Sequence, residues 1–155
     1  MVVYRLVEQG PHLNTALTGE GARLYGGRWN PKGLPAVYCS ATLSLAVLEF
    51  RVNRRVFDPR RKGLYFAIGF AESDVELVTN PPAGWTKHFN DDGSLTPAQE
   101  FGAAWLREAR SPVLCVPGSV IQVEKNFVLN PVHPRFEDLT IDDRPERFEF
   151  DPRLW

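Results

Sequence analysis

The chain has 155 residues, the length of one ordinary domain, and its 43% hydrophobic and 24% charged residues match an average globular protein, so the composition argues against disorder. Eighteen basic and nineteen acidic residues give a net charge of −1, whereas proteins that live on nucleic acid carry a positive excess. No segment approaches the ~18 consecutive apolar residues of a membrane span, and we expect one cytoplasmic domain over residues 1–155.

Apolar periodicity and turn signals predict strands and helices that alternate irregularly, which favours an α+β domain with a mixed or antiparallel sheet. One helix is predicted from a cap at Ser40 or Thr42 to about Asn53, and another from the capping box at Thr96 to about Arg110. Extended segments are predicted at residues 2–7, 36–39, 64–70, 75–78, 113–116, 120–123 and 126–129, with a further strand in the tail from Thr140.

Two cysteines, Cys39 and Cys115, lie in apolar runs without CxxC spacing. Free cysteine behaves as a small buried hydrophobe, so we expect neither a zinc site nor a redox pair. His12 and His88 stand in polar, loop-like contexts without the spacing of metal ligands, and we expect His133 to be structural. The sequence therefore predicts no metal centre.

The densest motif lies in residues 19–33, where five of fifteen residues are glycine. In this stretch Arg23 and Arg28 alternate with glycines and with the aromatic residues Tyr25 and Trp29. Arginine grips phosphate with a planar fork, and glycines let backbone N–H groups approach the same anion. The motif is compatible with a phosphate-bearing, flat-ringed ligand, and equally with a glycine-rich hairpin carrying surface arginines.

Two further features qualify as site candidates. Glu49 follows apolar neighbours on the first predicted helix, and a carboxylate there is either functional or a rim residue paired with an arginine. Ser119 follows Pro117 and Gly118 at a strand end, where it either contacts a ligand or closes a turn. The basic run from Arg51 to Lys62 fits a solvated face or a patch for an acidic partner.

Taken together, these segments resemble the RES domain family. The resemblance covers nearly the whole chain and is carried by Tyr4-Arg5-Leu6, Gly27-Arg28-Trp29-Asn30, Gly33, Tyr38-Cys39-Ser40, Leu45-Ala46, Leu48-Glu49, Trp105-Leu106, Val116-Pro117, Asn126 and Asn130-Pro131-Val132-His133-Pro134.

The resemblance implies a fold similar to the ADP-ribosyltransferase toxins and an enzyme that depletes NAD⁺ by cleaving its nicotinamide–ribose bond. NAD⁺ is then a consumed substrate rather than a cofactor. It also implies a cognate Xre-like antitoxin that plugs the active site and binds operator DNA, in a toxin–antitoxin complex that could include a toxin homodimer. Members of the family pass ADP-ribose to water or phosphate, and at least one modifies a protein.

Carried onto this chain, the family pattern gives catalytic roles to Arg28, Tyr38, Glu49 and Ser119. Glu49 would stabilise the positive charge that develops on the ribose, Arg28 would clamp the pyrophosphate or a ribose hydroxyl, and Tyr38 would stack on nicotinamide. The usual serine position falls on Gly118, so either Ser119 takes its role through a local bulge or the role is unfilled. Residues expected to help bind NAD⁺ are Arg23, Gly27, Trp29 and Asn126.

Three alternatives remain at this stage. The first is an ADP-ribosyltransferase with a macromolecular target, which would use the same residues. The second is a non-catalytic nucleotide-binding or interaction module, which the glycine at position 118 favours. The third, direct nucleic-acid binding by the Arg51–Lys62 stretch, is disfavoured by the near-neutral net charge.

Overall fold

The computed structural model describes residues 1–10, 13–53, 62–142, 144–151 and 153. Within these ranges the helices are α1 (Glu20–Tyr25), α2 (Leu43–Val52) and α3 (Pro97–Glu108). The strands are β1 (Val2–Glu8), β2 (Val37–Ser40), β3 (Gly63–Gly69), β4 (Val75–Leu77), β5 (Val113–Pro117), β6 (Lys125–Leu129), β7 (Thr140–Ile141) and β8 (Glu146–Phe148).

All these strands belong to one sheet with the order β4-β5-β6-β2-β1-β3-β7, and β8 also pairs with β3. β4 and β5 run parallel, and the chain between them contains α3. The other pairs are antiparallel. The predicted α+β class with a mixed sheet is therefore confirmed.

The central strands are buried on both faces because their apolar residues run without interruption. In β5, Val113 and Cys115 join one core cluster, whereas Leu114 and Val116 join another. This division follows the two-residue period of a strand, which sends successive side chains to opposite faces. The second cluster includes Trp105 and Leu106 of α3, so α3 covers that face of the sheet. Both cysteines are free and buried, as expected.

The helix boundaries follow local capping chemistry. Thr42, rather than Ser40, caps α2, since its hydroxyl accepts a hydrogen bond from the backbone N–H of Leu45 at 3.1 Å. Thr96 and Gln99 form a reciprocal capping box at the start of α3, with Pro97 in the first turn. No helix in the described ranges is long and apolar enough to cross a lipid bilayer.

The structure differs from the sequence predictions in three segments. The glycine-rich stretch contains the helix α1 rather than a hairpin. Residues 120–123 form bends and turns rather than an extended segment. The tail provides two short strands, β7 and β8, and then docks through Phe150, which is 6% exposed and stacks on Phe50 at 5.4 Å between ring centroids. Leu154 and Trp155 lie outside the described residues.

Candidate functional site

A cavity of about 380 Å³ opens where β1 and β2 part. The two strands share a single pair of opposed residues, Tyr4 and Ser40. Beyond that pair the Arg5 side chain fills the gap, donating hydrogen bonds to the carbonyl oxygens of Ala16 and, at 2.9 Å, Tyr38. The cavity is lined by both strands, by α2, by the residues that follow α1 and by the loop after β5.

The wall of this cavity holds Glu49, a half-buried carboxylate on the last turns of α2. Oε1 accepts three hydrogen bonds, from the backbone N–H groups of Ser119 (2.9 Å) and Val120 (3.2 Å) and from Nδ2 of Asn126 (2.6 Å). Oε2 accepts one, from the Ser119 hydroxyl at 2.6 Å. All four partners are donors, so both oxygens act as acceptors, as those of an ionised carboxylate do.

The two oxygens of Glu49 differ in what they can still do. A carboxylate oxygen offers about two lone-pair directions, and three donors already surround Oε1. Oε2 has one donor and therefore keeps capacity for a further partner. The arrangement holds a fixed negative charge in the cavity with one oxygen available to a ligand hydroxyl or to a developing positive charge.

Ser119 reaches Glu49 because the chain turns tightly at Gly118. The Gly118 N–H donates to the carbonyl oxygen of Glu124 at 2.8 Å, closing the loop between β5 and β6. A Cβ atom on residue 118 would lie 2.4 Å from the carbonyl oxygen of Ile121. The loop therefore requires glycine at residue 118, and it brings Ser119 to the cavity.

Tyr38 also lines the cavity, but its hydroxyl is already hydrogen-bonded to two groups of the protein. It accepts a hydrogen bond from the Trp29 N–H at 2.9 Å and donates one to Oδ1 of Asn30 at 2.7 Å. Burial raises the pKa of the Tyr38 phenol well above its ordinary value. The tyrosine therefore stays neutral, and its fixed ring rather than its hydroxyl is available to a ligand.

Arg28 lines the same cavity and interacts electrostatically with the negative charge of Glu49. Desolvation lowers the pKa of its guanidinium, and the negative charge of Glu49 partly offsets that effect. One guanidinium nitrogen donates to the carbonyl oxygen of Thr86. This contact, together with the stack of Trp85 on Trp29 at 5.9 Å, ties the segment around Thr86 to the cavity rim.

Helix α3 supports this side of the cavity from behind. Gly102 packs so closely that a Cβ there would lie 1.8 Å from the carbonyl oxygen of Trp29. Gln99 donates from Nε2 to the carbonyl oxygen of Gly27 at 3.0 Å. Gly27 in turn lies against Tyr38, since a Cβ on it would be 2.5 Å from the Tyr38 hydroxyl. The predicted residue Gly27 therefore lies at the cavity wall as part of a tightly packed support.

Two of the predicted binding residues do not have the expected placement. Arg23 lies on the exposed face of α1 and forms two hydrogen bonds of 2.7 Å with Glu20, outside the lining of the cavity. Trp29 is 2% exposed and packs among core residues, so its ring offers no stacking surface to a ligand. Trp29 itself borders the cavity that Arg28, Tyr38, Glu49, Ser119 and Asn126 line, and it supports the site through its backbone and its buried ring.

Arg5, Ser40 and His88 are among the lining residues that sequence reasoning did not assign to the site. Arg5 lies in an ordinary strand pattern, and its signals were a cation within that pattern and its place in the segment Tyr4-Arg5-Leu6 of the resemblance. Ser40 is named in the sequence as a possible helix cap and as part of the segment Tyr38-Cys39-Ser40, without a role in the site, although its hydroxyl donates to Oδ1 of Asn126 at 2.8 Å. His88 was set aside as a loop residue, yet it lines the cavity, where desolvation and the nearby Arg28 charge lower its pKa.

Other candidates have structural placements or fall outside the described ranges. His133 accepts from the Arg135 N–H at 3.0 Å through Nδ1 and contacts the carbonyl oxygen of Ala109 at 3.1 Å through Nε2, as expected of a structural histidine. His12 and residues 54–61, which carry most of the basic run, are outside the described residues. Among the described residues no three His, Cys, Asp or Glu side chains cluster to hold a metal ion.

A second cavity, of about 660 Å³, adjoins the first and shares Arg5, Leu6 and Gly21 with it. Its remaining lining includes Glu8 and Glu20. Glu20 is held by Arg23, so its charge is already neutralised. The carboxylate held by neutral donors therefore distinguishes the first cavity as the candidate active site.

In sequence and in fold, the chain is similar to known proteins that are named as toxins. The chain is 34% identical to a Yersinia enterocolitica protein named Toxin Res, over 99% of both chains. It is 29% identical to the Prs ADP-ribosylating toxin of a Sphingobium species, over 89% of this chain and 86% of that one. Its fold matches a chain of the crystal structure of the M. tuberculosis MbcT–MbcA toxin–antitoxin complex with a TM-score of 0.69, at 22% identity, over 99% of this chain and 85% of that one.

The family model of the RES domain matches residues 2–151, which include every residue of the candidate site. With that match and the Yersinia relative covering the whole length, the resemblance predicted from the sequence is confirmed. The chain belongs to the RES domain family.

Proposed function

We propose that this protein is the toxin of a toxin–antitoxin system and that it consumes NAD⁺ by cleaving the nicotinamide–ribose bond. The observation that carries the proposal is the Glu49 carboxylate, held in the cavity by Ser119, Val120 and Asn126 with Arg28 lining the same space. The toxin names of the relatives support the biological role.

The proposed reaction breaks the bond between the ribose C1′ and the nicotinamide nitrogen. The bonding electrons leave with nicotinamide and neutralise its ring charge, while positive charge builds on the ribose, as in glycoside hydrolysis. The negative charge of Glu49 would stabilise this positive charge. Because the charge develops only in the transition state, the stabilisation would appear mainly in kcat. Water or phosphate then adds to C1′; attack by water releases a proton.

The remaining residues would bind and orient the dinucleotide. Arg28 presents a cation for the pyrophosphate, and ligand binding would draw it from the Thr86 carbonyl oxygen to the stronger charged acceptor. The ring of Tyr38, fixed by the hydrogen bonds of its hydroxyl, would pack on nicotinamide. Ser119 would hold the oxygen of Glu49 that faces the ribose.

An antitoxin that covers the cavity is part of the proposal. The structural relative was solved as a toxin–antitoxin complex, and a protein that depletes NAD⁺ needs such a partner in its own cell. The antitoxin would inhibit the toxin by occluding the cavity. A partner segment that enters the cavity would contact the free lone pair of Glu49 and exclude the dinucleotide.

The test is NAD⁺ consumption by protein made by cell-free synthesis, comparing wild type with Glu49→Gln. Glutamine keeps the shape and removes the charge, and we expect kcat to fall about 100-fold or more with little change in KM. The matched control is Glu108→Gln, an exposed carboxylate at the end of α3, which should retain wild-type kcat. Full activity of Glu49→Gln would contradict the electrostatic role.

A second candidate, transfer of ADP-ribose to a protein, is favoured by the name of the Sphingobium relative. The same assay separates the two when products are analysed with and without phosphate and with a cell extract as acceptor. Free ADP-ribose or its phosphate ester supports the proposed function. ADP-ribose found only on protein supports the transferase. Absence of NAD⁺ loss under every condition supports a non-catalytic module.

A further inference from the structure

Ser40 lies behind the carboxylate network rather than in it. It is the last residue of β2, is 4% exposed, and stands directly opposite Asn126 of β6 in the sheet register. Directly opposed residues of antiparallel strands carry their Cβ atoms about 5 Å apart, close enough for their side chains to meet. The Ser40 hydroxyl accordingly donates to Oδ1 of Asn126 at 2.8 Å.

This bond determines which end of the Asn126 amide faces Glu49. A primary amide has one acceptor oxygen and one donor nitrogen. With its oxygen occupied by Ser40, the amide presents Nδ2 to Oε1 of Glu49 at 2.6 Å. The reversed amide would set its oxygen against a carboxylate oxygen, where two acceptors repel each other.

Asn126 differs from the other partners of Glu49 because it belongs to a strand of the sheet rather than to a loop. Ser119 and Val120 belong to the loop between β5 and β6, whereas Asn126 is on β6, paired with β2 on one side and β5 on the other. It is therefore the donor that ties the carboxylate to the sheet. We propose that Ser40 is a positioning residue, which fixes Glu49 for bond cleavage by locking the Asn126 amide.

The inference rests on the proposed function for its kinetic part. Removing the Ser40 hydroxyl frees the amide to rotate while the loop donors remain, so Glu49 is held less precisely but stays in the cavity. Loss of alignment at a reacting centre costs about 10-fold to 100-fold in rate. We expect Ser40→Ala to lower kcat by about 10-fold and to change KM much less, because the Ser40 hydroxyl, although at the cavity wall, is directed at Oδ1 of Asn126.

The kinetic experiment compares Ser40→Ala, Ser40→Cys, Asn126→Ala and the double variant Ser40→Ala/Asn126→Ala. Cysteine keeps the shape of serine, with a somewhat larger atom at the end, but donates weakly, so Ser40→Cys should be as impaired as Ser40→Ala. Because Ser40 acts through Asn126, removing its hydroxyl should cost nothing further in the Asn126→Ala background. Additive losses, or full activity of Ser40→Cys, would show a packing role and overturn the inference. Ser44→Ala, exposed on α2, is the control.

A second measurement does not depend on NAD⁺ cleavage. The side-chain amide of Asn126 gives an assignable pair of signals in ¹H–¹⁵N spectra. We expect these signals to shift, and their exchange with water to accelerate, in Ser40→Ala and Ser40→Cys but not in Ser44→Ala. Unchanged signals would overturn the inference whatever the kinetics show. If the signals shift in both Ser40 variants but the wild-type protein cleaves no NAD⁺, the positioning by Ser40 is supported and the proposed function is refuted.

Discussion

Replacing Gly118 with alanine tests whether the loop after β5 delivers Ser119 to Glu49. The added Cβ would lie 2.4 Å from the carbonyl oxygen of Ile121 and 3.3 Å from its carbonyl carbon. Both are backbone atoms, so no side-chain rotation relieves the overlap, and the loop must move by about 1 Å to restore ordinary contact. A shift of that size would break the bonds of 2.6 and 2.9 Å from Ser119 to Glu49.

We expect Gly118→Ala to lower kcat for NAD⁺ cleavage by about 10-fold to 100-fold. Overpacking costs about 1–3 kcal/mol, which lowers the Tm of a protein of this size by roughly 3–10 °C. The measurements are steady-state kinetics and thermal denaturation beside Gly10→Ala, whose Cβ would meet open space. Wild-type kcat in Gly118→Ala would refute the reasoning.

The variant Gly118→Ser sharpens the same test, because it places serine at the position expected from the resemblance. The loop geometry predicts the same loss as for alanine, since the serine Cβ meets the same carbonyl oxygen. Activity equal to wild type would mean that the loop can adopt the pattern's own arrangement, and Ser119 would then be dispensable.

Three other substitutions test the support of the site. In Gly102→Ala the Cβ would lie 1.8 Å from the Trp29 carbonyl oxygen, so α3 must move, and we expect circular dichroism to show a Tm lower by about 5–10 °C. In Gly27→Ala the Cβ would be 2.5 Å from the Tyr38 hydroxyl, and we expect kcat/KM for NAD⁺ to fall about 10-fold or more, with Gly10→Ala unchanged. Arg28→Lys keeps the charge but loses the planar fork, so KM should rise about 10-fold in steady-state assays, and an unchanged KM would argue against the phosphate clamp.

The parts of the fold that depend on local signals could be predicted from the sequence. The cap at Thr42 and the capping box at Thr96 gave both long helices, and uninterrupted apolar runs gave the buried strands. Residues 120–123 also have strand-forming residues, but the chain must turn between β5 and β6, which pair with each other. Tertiary pairing decided that segment against its local preference.

Of the two interpretations of the glycine-rich stretch, the hairpin is wrong, because the positions of the glycines and not their number decide the local structure. Gly19 and Gly26, with φ of 72° and 74°, stand immediately before and after α1. At the ends of a helix such glycines supply the left-handed backbone that stops it, while Glu20 to Tyr25 between them form the helix. The helix turns Arg23 outward to Glu20, and the chain after it carries Arg28 to the cavity.

The partners of Glu49 could not be predicted, because they are 70 to 77 residues away along the chain. Nothing local to α2 distinguishes a functional carboxylate from one paired with an arginine on the rim. The family resemblance identified Glu49, Ser119 and Asn126 separately, but their convergence on one carboxylate is a property of the sheet order, which sets β2 beside β6.

The kind of partner also indicates what Glu49 is for. A carboxylate on the last turns of a helix lies near the negative end of the helix dipole, which disfavours its charge. In the described part of the chain, that charge is stabilised by neutral N–H and O–H donors and not by an arginine within ion-pair distance. Neutral donors hold the charge in place, and among the described residues the positive charge of Arg28 acts on it without forming an ion pair. A charge held in this way would stabilise positive charge that appears on a substrate during the proposed bond cleavage.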